Sequence, residues 1–313
     1  MSVDESSELR AIPSPVDLVC IAYEGDARLM VLQMLSVDRL LAHTGLGKYV
    51  VILNGADNGA LETFIRGEIF TRISTELRDR VVFIDGRSIL GAESAGWRDQ
   101  QALKLLIAKH LTSDHYMLLD AKNHFIRPAT INDFFQDGVP KTSIKPMADN
   151  WIQYMRASLR PFQALTEGNL VSMPPSVTPY VMIRDEVLRL IERIEASTAK
   201  GFVAAFEDLP RATEFFLYYA HFISERGRFP YVDAPELCTT LYTVWPQDPE
   251  TVLRCVRGAA EKGHALFGLH RKRLPQLTDE QSRGIVTLWR RHLLKDWEDA
   301  SWFMVYQEAP SIA

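Results

Sequence analysis

Between residues 115 and 128 the chain reads HYMLLDAKNHFIRP. Four apolar residues, Tyr116 to Leu119, run straight into Asp120, and Lys122, Asn123 and His124 follow before the chain turns apolar again at Phe125. An acid, an ammonium, an amide and an imidazole at the end of a buried-looking strand form a set able to hold a charged small molecule. A carboxylate takes a cation or accepts from hydroxyls, and a lysine serves phosphate as a point charge. A purely structural reading stands beside this one: Lys122 pairs with Asp120 in a turn, and His124 is a satisfied core histidine.

The elements that must position these groups follow from periodicity. VDLVCIAY is a continuous apolar run that suits a strand buried on both faces, with Cys20 as a small core residue. DARLMVLQMLSVDRLLAH has the spacing of an amphipathic helix, with Asp26 placed as its cap. KYVVILNG, RVVFIDG and HYMLLD read as further strands, and GALETFIRGEIFTRI and AGWRDQQALKLLIAKHLT as further helices. Strand and helix therefore alternate from about residue 16 to residue 120, the pattern of βαβ units and a mostly parallel sheet. After Pro128 the rhythm changes to short aromatic and polar pieces. Three helices then follow: IRDEVLRLIERIEAS, with Val187, Leu190, Ile191 and Ile194 on one face, RATEFFLYYAHFISER, and TDEQSRGIVTLWRRHLL, whose Thr-x-x-Gln start resembles a capping box. The expected organisation is a disordered lead-in over 1–15, an α/β half over 16–130 that carries the ligand edge, and a mainly helical half of the same domain over 131–313. The aromatic tail WEDASWFMVYQEAP is expected to dock on the body or on a second subunit.

Composition narrows the function classes. The 313 residues are 47% hydrophobic and 24% charged with a net charge of -5, which argues against a nucleic-acid binder. Three scattered cysteines make neither a disulfide framework nor a CxxC metal site. No apolar run approaches the roughly 20 residues of a membrane helix, and MSVDESSELR is not a secretory signal, so a cytoplasmic location is expected. In open α/β sheets ligands bind beyond the carboxyl ends of the strands. Tyr23 and Glu24, Asn54 and Gly55, and Asp120 fall at such ends. The dinucleotide and P-loop fingerprints, the GxSxG elbow and HExxH are all missing from the sequence.

The βαβ series, the helix with GWRDQQALKL and the apolar strand ending LLDAKNHFIRP together resemble the nucleotide-binding half of a GT-A glycosyltransferase. More narrowly they resemble a group of bacterial GT-A-like proteins associated with capsule and surface polysaccharides, in which a tryptophan and paired glutamines precede the acidic strand, as Trp97, Gln100 and Gln101 do here. The resemblance covers residues 16 to 130 well and the rest loosely. It implies a GT-A-like (Rossmann-type) α/β fold and a glycosyltransferase moving a sugar from a nucleotide-sugar donor to a hydroxyl on a saccharide or lipid-linked saccharide. The implied setting is bacterial surface polysaccharide synthesis, at the inner membrane only through partners. In the family pattern, Asp-x-Asp holds Mn²⁺ or Mg²⁺ against the diphosphate. Here Lys122 stands in the second aspartate's place, so the expectation is a lysine that replaces the metal or weakens dependence on it, with Asp120 as the one metal ligand if a metal binds.

The remaining candidates follow from the same resemblance. Asp120 and Lys122 would act on the donor, and Glu214, opening a helix, is the candidate base, with Glu207 and Asp208 as competing carboxylates. Tyr23, Asn54, Trp97, Gln100, Gln101, Lys104, Asn123, His124, His270 and Arg271 are the candidate substrate contacts. Lys272 and Arg273 extend the basic cluster, and Trp151, Tyr154, Tyr180 and Trp245 are stacking candidates, most of them expected in the core. The expected partners are donor and acceptor sugars and a second copy of the chain, with no nucleic acid. A non-catalytic nucleotide-sugar or glycan-binding protein is the alternative, and a nucleotidyltransferase or methyltransferase the more distant rival. For a methyltransferase, AYEGDAR offers only Gly25 where a glycine-rich loop is needed.

Overall fold

A computed structural model describes residues 15–91, 96–261 and 263–306; the expected lead-in falls on residues outside these up to residue 14. Four parallel strands, β1 (Val16–Ala22), β2 (Leu46–Leu53), β3 (Val81–Asp85) and β4 (His115–Asp120), form one sheet with an antiparallel strand, Tyr180–Ile183, at its edge. The order is Tyr180–Ile183, β4, β1, β2, β3. β1 is central and buried almost throughout, as its unbroken apolar run requires, whereas β3 at the other edge is half-buried.

Helix α1 (Ala27–Leu40) follows β1 and α2 (Asn58–Ile69) follows β2. Asp57 caps α2 by accepting from the Ala60 N–H. The helix Trp97–Leu106 leads into β4, and Arg184–Thr198 buries Val187, Leu190, Ile191 and Ile194, each contributing about 1.5–3 kcal/mol relative to exposure. The Thr278–Gln281 capping box is formed in full at the start of the Asp279–His292 helix.

The C-terminal half adds pieces that the periodicity did not indicate. After β4 the chain turns and re-enters as β5 (Asn123–Phe125), which pairs with Leu266–Leu269, itself paired with Cys238–Leu241. The turn at Asp120–Asn123 therefore sits where the main sheet hands the chain to a small second sheet. These strands are too short to carry a period, and the partner of β5 lies more than 100 residues away in sequence.

The tail docks on the body through residue 306. Glu298 is 3% exposed, and its carboxylate accepts from Arg39 at 2.6 and 2.9 Å, from Arg72 at 2.8 Å and from the Lys295 N–H at 2.8 Å. Trp302 stacks on Phe64, and Phe303 packs edge-on against Trp289. Burial alone would raise the Glu298 pKa, but Arg39, the Lys295 N–H and Arg72 bring it down to about 2. A carboxyl depressed on folding stabilises the protein above its unfolded pKa, near 4.5, and that contribution is lost as pH falls toward 2. It amounts to about 3 kcal/mol. Urea unfolding at stepped pH should show the stability gap between the wild type and Glu298→Gln closing between pH 5 and pH 2. A gap independent of pH would mean the carboxylate is not paired in the folded state.

Candidate functional site

The turn after β4 is held from beneath by two buried amides. The Asp120 N–H donates to Asn123 Oδ1 at 2.9 Å, and Thr178 Oγ1 donates to the same oxygen at 2.6 Å. Gln33, reaching up from α1, donates to the carbonyls of Asp120 (2.6 Å) and Asn123 (2.7 Å), while Tyr49 donates to Gln33 Oε1 at 2.6 Å. Gln33 and Asn123 are fully buried, so these bonds act without competition from water and fix the backbone that carries Asp120 and Lys122.

On that turn stands a chain of four charges. Asp120 Oδ1 lies 3.1 Å from Lys104 Nζ, its other oxygen is bound by Lys122, and Lys104 Nζ is also 3.1 Å from Glu214 Oε1. Lys104 comes from the Trp97–Leu106 helix, and Glu214 opens the Glu214–Arg226 helix behind its Thr213 cap. Burial works against the charge on Asp120, but Lys104 and then Lys122 outweigh it and hold the carboxyl well below the carboxylate range. Burial likewise opposes the Lys104 ammonium, and Asp120 and Glu214 overcome it, holding Lys104 above the ordinary lysine range. Asp120 has the most exposed side chain of the four, at 29%.

Leu266–Leu269 brings a second group of residues to the same edge. The Leu269 N–H donates to the Lys122 carbonyl at 3.0 Å, which places His270 and Arg271 beside Lys122. His270 Nδ1 accepts from the Lys272 N–H at 3.2 Å and lies 3.1 Å from Thr243 Oγ1. That bonding assigns the ring proton to Nε2. Burial and then the charges of Lys122, Arg271 and Lys272 lower the His270 pKa to about 4, so near neutral pH this histidine offers a hydrogen bond and no charge.

Arg271 lies 3.2 Å from Asp26 Oδ1, donates to the Tyr23 hydroxyl at 3.3 Å and packs 4.9 Å above the Tyr23 ring. Asp26 occupies the N-cap position of α1, as the sequence indicated, but its side chain makes no capping bond and is turned to Arg271 instead. Burial, opposed by Arg271 and Lys122, raises its pKa to about 6. Beside it, Glu24 is buried and accepts from the Asp57 N–H at 3.2 Å. A Cβ at Gly55 would fall 2.1 Å from the Glu24 carboxylate, so that position has room only for glycine.

Tyr23, Lys104, Asp120, Lys122, Glu214, His270 and Arg271 thus converge at the carboxyl edge of the sheet. Asn54 at the end of β2 is 4% exposed, and Gln101 is 2% exposed. Asn54 Oδ1 and both amide atoms of Gln101 have no hydrogen-bond partner among the described residues. Gln100 is half-buried, and Trp97, 60% exposed, stands in the first turn of its helix.

Other candidates lie elsewhere. Asn123 is the buried hub of the turn, and His124, also buried, accepts the Trp289 indole N–H at 2.7 Å within the core. Burial lowers the His124 pKa to about 3. Glu207 and Asp208 are exposed, the latter paired with Lys200. Arg273 is buried and Lys272 exposed. Tyr180 is stacked on Phe215, Trp151 packs on Phe216 and on Tyr154, and Trp245 is 62% exposed. Sequence reasoning left Asp26 as a cap and passed over Gln33 and Thr178. The adjacency of Asp26 to Glu24 at a strand end was the one local signal available.

A divalent cation fits this edge poorly. Both Asp120 oxygens are taken by ammonium groups, and Lys122 puts a positive charge where a second carboxylate ligand is needed. Glu186, His221 and Glu225 offer ligand atoms within 4.8 Å of one another. However, Arg189 and Arg226 bind Glu186 and Arg193 binds Glu225, so three guanidinium groups already hold its two carboxylates and oppose a cation.

Set against known proteins, residues 10–244 match the profile of a family of unknown function, DUF6492. The chain belongs to that family. No curated protein matches this DUF6492 member in sequence. Among solved structures, it is similar to an active-site mutant of LgtC, a GT-A glycosyltransferase, with a TM-score of 0.50 and 12% identity over 92% of this chain and 99% of that one. At that identity the likeness concerns the fold: a GT-A-like α/β architecture with a mostly parallel central sheet flanked by helices.

The ion chain makes a testable demand on stability. Lys104→Met strands Glu214 and removes one partner of Asp120, and should cost about 3–5 kcal/mol by urea unfolding. Adding Glu214→Gln should recover part of that loss. A single-variant loss under about 1 kcal/mol is what a solvated, weakly paired cluster would give.

Proposed function

We propose that this chain transfers a glycosyl unit from a nucleotide sugar to a hydroxyl acceptor, with fixed ammonium groups in place of a divalent metal. The observation that carries the reading is the Asp120–Lys122 pair at the carboxyl end of β4, backed by Lys104 and faced by His270 and Arg271. The GT-A-like fold supports that reading, since ligands of open α/β sheets bind beyond the carboxyl ends of the strands.

Residues 16–130 would form the donor side and residues 131–313 the acceptor side. Lys122 would move from Asp120 toward the diphosphate, supplying charge as the leaving group departs, while Asp120 keeps Lys104 and turns its freed oxygen to the sugar hydroxyls. Arg271 and the neutral His270, through Nε2–H, would donate to the phosphates. The buried amides of Asn54 and Gln101 would bond the nucleoside, with Tyr23, Trp97 and Gln100 bordering it.

In the transfer itself the acceptor oxygen bonds to the anomeric carbon. The bond from that carbon to the diphosphate oxygen breaks with its electron pair on the diphosphate, which takes the hydroxyl proton. This assignment of the proton rests on the state of the local carboxylates: Asp120 and Glu214 are held by lysines and Asp26 by Arg271. Glu214 is accordingly a positioning residue acting through Lys104. Glu214→Gln should lower kcat while leaving the shape of its pH profile unchanged; loss of the acidic limb, where a general base is protonated, would make Glu214 the base. The resemblance to capsule-associated proteins supports surface polysaccharide as the product class. Among the described residues, no helix is long and apolar enough to cross a membrane.

The test of the donor site is thermal stabilisation against nucleoside diphosphates and nucleotide sugars, each with Mn²⁺ and with EDTA. One nucleotide should raise the melting temperature in both, by the equivalent of about 2.7 kcal/mol at a hundredfold excess over Kd. Lys122→Ala should abolish that shift. A shift lost in EDTA would return the metal to the site, and binding without turnover on any acceptor would make this a nucleotide-sugar-binding protein.

A further inference from the structure

A cavity of about 380 Å³ opens close to Asn123. Its walls include Thr178, whose hydroxyl donates to Asn123 Oδ1, and Cys238, whose sulfur lies 3.5 Å from Asn123 Nδ2. One buried amide therefore touches both a wall of this cavity and the turn that carries Asp120 and Lys122. The opening is large enough for one or two sugar rings, and its lining mixes flat apolar surface with hydroxyls in the way carbohydrate sites require.

We infer that this cavity is an acceptor subsite for a saccharide bearing one acidic group, a carboxylate or a phosphate. Three features argue for that occupant. Trp245, 62% exposed although it lines the cavity, presents an indole with no packing duty large enough to account for it, and an aromatic face of this kind stacks on the C–H face of a sugar. Thr142, Ser143 and Thr240 supply hydroxyls along the walls for sugar hydroxyls.

Charge is the third feature. Of the two lysines at the cavity, Lys145 is neutralised by Glu236, whereas Lys141 donates only to the Asp133 backbone carbonyl at 3.3 Å and has no carboxylate partner among the described residues. A half-buried ammonium left without a counter-charge beside a sugar-sized space selects an anionic ligand.

The inference deepens the glycosyl-transfer reading and rests on it for the word acceptor, but binding to the cavity is measurable without turnover. Saturation-transfer NMR would compare glucose, glucuronic acid and glucose 1-phosphate on the wild type, on Trp245→Ala and on Lys141→Met, with circular dichroism confirming that each variant is folded. The expected result is binding of at least one acidic sugar at least tenfold tighter than glucose. Trp245→Ala should abolish it, and Lys141→Met should reduce it to the level of glucose. Glucuronic acid ahead of the phosphate names a carboxylate-bearing acceptor, and the reverse names a phosphorylated one.

Equal binding of all three sugars, no binding of any, or acidic-sugar binding unchanged in both variants would overturn the subsite. Running the nucleotide panel on the same preparations separates the two claims. Acidic-sugar binding without nucleotide binding keeps the subsite and removes the transfer reading, whereas nucleotide binding without sugar binding does the opposite.

Discussion

Lys104 is a cation taken out of water and shared between two carboxylates, and the architecture of the edge depends on that sharing. An unpaired ammonium at its depth would be untenable, and Asp120 and Glu214 are both brought within 3.1 Å of it. This requirement ties the Trp97–Leu106 helix, the tip of β4 and the start of the Glu214–Arg226 helix to one point. Lys122 completes the chain beyond Asp120, the most exposed of its four side chains. Two carboxylates and two ammonium groups in sequence balance one another in charge.

The backbone under this cluster is arranged with equal economy. A parallel sheet delivers strand ends to one edge, but it does not fix what happens beyond them. Here Gln33 and Asn123 do so, binding the carbonyls and the N–H of a turn that would otherwise have buried polar groups unmatched. The same turn passes the chain from the large sheet to the small one, and so the return strand Leu266–Leu269 lands next to Lys122. Two unrelated stretches of sequence are brought within bonding distance by a single crossing.

Much of this framework was readable in advance. β1, β2 and β4 announced themselves as apolar runs, the major helices by their 3.6-residue stripe, and the Thr278 capping box by residue type and spacing alone. The position of Asp120 at a strand end and the closeness of Lys122 to it were equally local facts. What local pattern did not contain was pairing at long range. Lys104 meets Glu214 across 110 residues, and Asp26 turns from the helix it begins to reach Arg271. His124 was open in the sequence to a site role or a core one, and the structure buries it against Trp289. Short strands such as Cys238–Leu241 carry too few residues to show a period at all.

The docking of Glu298 bears on how the protein is made. Arg39 and Arg72 belong to the first-synthesised quarter of the chain, but the carboxylate that binds them follows Arg72 by 226 residues. Until that segment is made, Arg39 of α1 and Arg72, just beyond α2, lack the Glu298 carboxylate, and Phe64 lacks Trp302. Ribosome-bound intermediates of this protein should therefore present a sticky, positively charged face that disappears only when the final segment folds across it. The strap at residues 298–306 is, in that sense, a cover that arrives late.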